Sequence, residues 1–150
     1  MSLAALAILI VLAGLMAYVR LAPTDAADWH INLTGLRPAG SVDADGVQVL
    51  RNGAWTELAG DPATATAMLA AMDAAAMATP RTRRLAGSVT EGRITWETRS
   101  LIWGFPDYTT AQITPSGLLV FARQRFGGQD SGVNARRLRG WLAAIPPASP

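Results

Sequence analysis

The sequence predicts an α+β protein: an N-terminal transmembrane helix, then an antiparallel meander sheet of about six strands with two helices on one face. Three observations carry this. Leu3 to Val19 is a run of 17 residues without a charge or a strong polar group. Behind it, short alternating segments are separated by Gly, Pro, Asn and Asp turn signals. Two stretches, one after Asp61 and one near Asp130, instead space their apolar residues as a helix does.

Each element follows from its residues. At ~1.5 Å per residue, Leu3–Val19 makes roughly 25 Å of helix, and a snorkelling Arg20 extends it through Leu21 and Ala22 towards the ~30 Å of a bilayer core. Pro23 stops it. A cleaved signal peptide is the competing reading, but the run lacks leading basic residues and Thr24-Asp25-Ala26 is a poor cleavage site. Residues 1–22 are therefore expected as an anchor, 23–45 as a linker along the domain or the membrane, and 46–150 as a single domain. Within the linker, Trp29 reads either as an interfacial anchor or as a plug in a gap of the domain. His30 reads as a solvated loop histidine.

Asn52-Gly53 between two apolar segments predicts a hairpin. Asp61-Pro62 then caps and opens a helix whose inner face is Ala65, Met68, Leu69, Met72 and Ala76, ending at Thr79-Pro80. Four strands are expected over Arg83–Val89, Ile94–Leu101, Tyr108–Thr114 and Leu118–Phe126, with Val89, Ile94 and Trp96 on one face. The last helix, capped by Asp130 or Ser131 and ended by Pro146-Pro147, presents Asn134, Leu138, Trp141, Leu142 and Ile145 inward and Arg136 and Arg139 outward. This order, β-β-α-β4-α, is similar to that of TATA-binding-protein-like and helix-grip folds, where a cavity can open between sheet and helix.

Composition excludes several chemistries. The chain of 150 residues has no cysteine, one histidine, and arginine for all 13 of its basic residues. Disulfide scaffolds, thiol nucleophiles, thiolate metal sites, lysine Schiff bases and Walker-type phosphate loops are thereby ruled out. Residues 21–80 hold two arginines against seven acids, and residues 81–150 ten against four. The two halves nearly cancel, which argues against nucleic acid and leaves anionic lipid head groups as the natural basic-patch partner. No cofactor is expected.

One polar constellation stands out. With Ser116 at the tip of the last hairpin, Ile113 faces Leu119, Ala111 faces Phe121, Thr109 faces Arg123 and Asp107 faces Arg125. The inner first turn of the last helix would then bring Asp130 and Asn134 to the same corner. Two readings stand: a pocket for a carboxylate or phosphate, or a salt-bridged corner tying helix to sheet.

Those residues fall in two recognisable segments. Thr98–Asp107, with Gly104-Phe105-Pro106-Asp107, and Ala122–Arg137, with Asp130-Ser131-Gly132-Val133-Asn134-Ala135-Arg136-Arg137, resemble the two signatures of the bacterial and plastid domain-of-unknown-function family numbered 1499. Gly104, Phe105, Asp107, Asp130, Gly132, Asn134 and Arg137 match. Tyr108 stands where a second acid is usual, and Ala122 where a serine is common. Val19–Pro23 through Trp29-His30 resembles membrane-anchored members from alphaproteobacteria, which implies a single-pass inner-membrane protein. The flanking charges, an α-amino group before the run against Arg20 behind it, leave either side open or slightly favour a cytoplasmic domain, and the resemblance leans to the periplasmic side. The resemblance adds Arg137 to the candidate ligand-binding set of Asp107, Arg123, Arg125, Asp130 and Asn134, and implies no activity.

Three function classes follow. The first is a membrane-tethered, non-catalytic binding or accessory domain of the cell envelope, taking a lipid or small anionic ligand, with the bilayer as partner through the N-terminal helix. The second is a structural subunit of an envelope complex. The third, a hydrolase using Asp107 or Asp130 as base, lacks a nucleophile elbow and a paired acid.

Overall fold

The computed structural model describes residues 2–146; of the expected Pro146-Pro147 stop, Pro147 lies outside these. The N-terminal helix α1 (Leu3–Leu21) is capped by the Ser2 hydroxyl, which accepts from Ala5 N. A single turn, α2 (Ala26–Trp29), follows inside the expected linker. Then come β1 (Val47–Leu50), β2 (Gly53–Ala59), α3 (Pro62–Ala78), β3 (Thr82–Ser88), β4 (Arg93–Arg99), β5 (Pro106–Thr114), β6 (Gly117–Gln124) and α4 (Val133–Leu142). Every pairing is antiparallel, and the sheet order is β1-β2-β6-β5-β4-β3. After the β1–β2 hairpin, α3 crosses to the far edge. The β3–β6 meander then returns until β6 pairs with β2.

Both hairpins differ by one residue from the sequence expectation, for the same reason. Gly53 and Gly117 are strand residues, not turn residues. Leu50 pairs with Gly53 around Arg51-Asn52, and Thr114 pairs with Gly117 around Pro115-Ser116. A Cβ on Gly53 would meet Ala122 O at 2.0 Å, and one on Gly117, whose φ is 141°, would meet Leu58 O at 1.9 Å. These glycines permit the close approach of β2 and β6. The β5–β6 register therefore runs Ile113↔Leu118, Ala111↔Val120, Thr109↔Ala122 and Asp107↔Gln124. A one-residue slip exchanges the faces of a strand, so Arg123 and Arg125 point away from Asp107.

One sheet face carries α3 and α4. Asp61 caps α3 by accepting from Thr64 N, and Ala65, Leu69, Met72 and Ala76 of that helix are buried. They pack with Ala54, Ile94, Trp96, Ala111, Leu118, Val120, Ala122, Leu138 and Trp141 into one cluster, against which Val89 and Met68 also lie. Trp96 and Trp141 meet edge to face at 5.5 Å, and their indole N–H groups donate to Asp73 and Thr79. Buried aromatics with satisfied N–H groups give this layer both area and geometry.

The other face is covered by the segment between α1 and β1. That segment lies along the domain, the first of its two expected courses. Trp29 stacks on Tyr108 with ring centroids 3.9 Å apart, so it packs into the domain, as the gap-plug reading expects. The Gln112 amide accepts from Leu33 N and donates to Asn32 and Thr34. Leu33 itself is fully buried.

Trp141→Ala and Trp96→Ala should each lower stability by about 3–5 kcal/mol, because each leaves a large cavity in the helix–sheet layer. Denaturant titration measures this; a loss below ~1 kcal/mol at both would mean that the rings are not core.

Candidate functional site

The six residues singled out by sequence fall into two groups on opposite sides of the sheet. Asp107, Asp130, Asn134 and Arg137 converge on the helix side. Gly132 enters α4 with a left-handed φ of 74°, and Asp130 lies two residues before it. Its carboxylate accepts from Asn134 N at 3.1 Å and from Asn134 Nδ2 at 2.9 Å. Asp130 thus occupies a free N–H of the first helical turn, where negative charge is favoured. Asn134 Oδ1 accepts from Arg137 at 2.8 Å, and Arg137 Nη2 donates to Asp107 Oδ2 at 2.9 Å. The result is one chain from the entry of α4 to the start of β5. Asn134 is fully buried, and Asp107 and Arg137 nearly so. Burial pushes the Asp107 carboxyl up from its ordinary value, outweighing the downward pull of Arg137.

Arg123 and Arg125 do not join this corner. Both share the opposite face with Tyr108, where they hold the covering segment. Arg123 donates to Trp29 O at 2.8 Å and lies over the Trp29 ring at 5.1 Å. Arg125 reaches Thr24 Oγ1 and the Tyr108 hydroxyl, which are themselves 2.8 Å apart. Burial draws the Arg123 guanidinium down from its ordinary value. The expectation that Asp107 pairs with Arg125 failed because the turn is one residue shorter than assumed. Tyr108, the departure from the usual second acid, is the platform on which Trp29 rests.

His30 is built into the same face, not solvated. Arg93 Nε donates to His30 Nε2 at 3.2 Å. An arginine can only donate, so Nε2 carries no proton and the Nδ1–H donates to Thr95 Oγ1 at 2.9 Å. Thr95 then donates to Thr110, and Thr110 donates to Trp29 O. Desolvation first, and Arg93 second, hold the imidazole below its ordinary value despite Glu91.

Arg139 also departs from expectation. It is half-buried and pairs with Asp43 and Asp45, fixing the loop before β1 to α4. Arg136 is exposed, as expected.

The sequence reading missed a further cluster. A cleft of about 500 Å3 opens at the foot of α1, lined by Arg20, Arg81, Arg83, Arg99 and Glu97. Glu97 is fully buried, with Oε2 facing Arg83 and Oε1 facing Arg99 in off-axis ion pairs. The signal was present: Glu97 and Arg99 are two apart on one strand, and Arg83 pairs with Glu97 across the ladder. Arg81, at φ 59°, takes a left-handed backbone uncommon for a residue with a Cβ.

Arg137→Ala should cost about 3 kcal/mol by stranding the buried Asp107 carboxylate. Asp107→Asn should cost less, since burial already disfavours the charge, and Arg136→Ala should stay within ~0.5 kcal/mol. Equal losses for Arg137→Ala and Arg136→Ala in thermal unfolding would refute the corner.

The neutral His30 sets a pH dependence. Its proton affinity is lower folded than unfolded, so its contribution is complete above the ordinary imidazole value of 6.5 and is lost as pH falls below it. Stability measured from pH 8 to 5 should show this decline, and His30→Gln should flatten it; an unchanged slope in the variant would assign the decline elsewhere.

No curated protein matches the sequence. Residues 49–145 match the family described as "Protein of unknown function (DUF1499)", a span from β1 to just beyond α4 that contains the whole Asp107–Arg137–Asn134–Asp130 corner, and the chain belongs to that family.

Proposed function

We propose that the protein is a membrane-tethered, non-catalytic binding domain of the bacterial envelope, held directly against the bilayer for a lipid or small anionic ligand. One observation carries the reading: the apolar helix is exposed along its length, yet its last turn is docked. Leu3, Ile8, Ile10 and Val11 are exposed, whereas Val19 is buried, Tyr18 meets Phe126 edge-on and Arg20 donates to Ile102 O. Trp103, Phe105 and Phe126 gather at this level, at ring separations of 6.0 to 6.2 Å. Aromatic rings there, beside the exposed Leu101 and Ile102, suit a membrane interface. A non-catalytic role is supported by the corner, where Asp107 and Asp130 are committed to Arg137 and Asn134.

We place the domain on the periplasmic face of the inner membrane, as in the membrane-anchored proteins its N-terminal stretch resembles. A structural subunit is the second reading, favoured by Leu101 and Ile102, which a partner protein would also cover. Recovery of the solubilised protein in a complex of fixed composition supports it.

Sodium carbonate washing tests the tether. The full chain should stay with the membrane pellet and retain residues 1–22; release by carbonate, or a mature N-terminus after Ala22, would rule out an anchor. Protease added to spheroplasts should digest the domain, and protection there would place it in the cytoplasm.

A further inference from the structure

We propose that the cleft at the foot of α1 binds the phosphodiester of an anionic phospholipid. The membrane-tethered reading supplies the lipid as its source; the chemistry of the cleft stands on its own residues. Arg20, Arg81, Arg83 and Arg99 line it with Glu97 as the one acid among them, a surplus of three positive charges around about 500 Å3. Glu97 holds Arg83 and Arg99 in place. Arg20 and Arg81 have no carboxylate within ion-pair distance among the described residues; they are positioned instead by carbonyls, Arg20 by Ile102 O at 2.8 Å and Arg81 Nε by Arg99 O at 3.1 Å. Those bonds leave guanidinium donors for an incoming anion. Glu97 offsets one of the four charges; the surplus cations repel one another until a further anion enters, and the planar guanidinium fork matches two phosphate oxygens. Arg81 keeps its uncommon backbone because Arg99 bonds it twice, Arg99 N donating to Arg81 O at 3.0 Å and Arg81 Nε to Arg99 O.

Position selects the lipid. Arg20 belongs to the last turn of the apolar helix, and its partner Ile102 sits beside Leu101 on the rim, 67% and 71% exposed. The cleft therefore lies at head-group level with apolar side chains at its edge. A free phosphate would use the guanidinium groups and gain nothing from that edge.

The test is native mass spectrometry of the full-length protein in detergent micelles, titrated with phosphatidylglycerol, phosphatidylcholine or inorganic phosphate. One phosphatidylglycerol should be retained in preference to phosphatidylcholine. Arg20→Gln combined with Arg81→Gln leaves both partners of Glu97 in place and should weaken retention roughly 10-fold or more. Arg81→Gln alone, which removes one carbonyl bond, should weaken it by a smaller factor, and circular dichroism confirms the fold of each variant. Equal retention of both lipids, or variants that bind as wild type does, overturns the proposal. Displacement of phosphatidylglycerol by inorganic phosphate at the same concentration overturns the lipid as occupant. Carbonate resistance without phosphatidylglycerol selectivity sinks the cleft alone, whereas release by carbonate sinks the tether and the lipid source with it.

Discussion

Thr114 pairs with Gly117, so Pro115 and Ser116 form a two-residue turn that fixes β5 against β6 along their whole length. Because side chains alternate along a strand, that register decides the side of the sheet on which each polar residue works. Asp107 is sent to the helices, Tyr108, Arg123 and Arg125 to the covering segment. A third turn residue would put Arg123 and Arg125 beneath α4 and expose the apolar set of β6. The turn is held in register by β2, whose backbone lies against Gly117 too closely for any side chain.

The two faces are closed by different chemistry. On the helix side, a continuous apolar cluster is framed by polar fixtures at its edges: Asp73 takes both Arg84 and the Trp96 indole, and the Asp130–Asn134–Arg137–Asp107 chain seats α4. On the other side, threonine, glutamine, tyrosine and arginine receive a segment with little secondary structure. Such a segment carries backbone groups that a sheet ladder cannot satisfy. Gln112 answers Leu33 N, and Thr110 with Arg123 answers Trp29 O. A polar sheet face is thus the condition for covering the sheet with loop, and a neutral His30 completes it.

These two closures meet at the foot of α1. Arg99, on the segment-covered face, donates to the carbonyls of Arg20 and Gly104, while Arg20 donates to Ile102. The helix is therefore joined to the domain by hydrogen bonds made at its last turn, not through a free tether.

Much of this was legible in the sequence. The uncharged run, the Asp61-Pro62 start and the 3.6-residue spacing of Ala65, Leu69, Met72 and Ala76 are local, period-driven signals, and they placed the helices and the α+β class. The recurrence of Asp107, Asp130, Asn134 and Arg137 in two signature segments marked four residues that do converge. Three matters were settled only by tertiary structure. Gly53 and Gly117 read as turn residues because isolated hairpins use glycine that way; only the presence of a third strand shows that they serve backbone approach. Arg139 read as an outward-facing residue because its partners Asp43 and Asp45 are far away in sequence. The arginine cleft draws on α1, β3 and β4, and no window of sequence contains it. Periodicity reports which face of an element is apolar; it carries no information on which elements become neighbours, and charge constellations are made by neighbours.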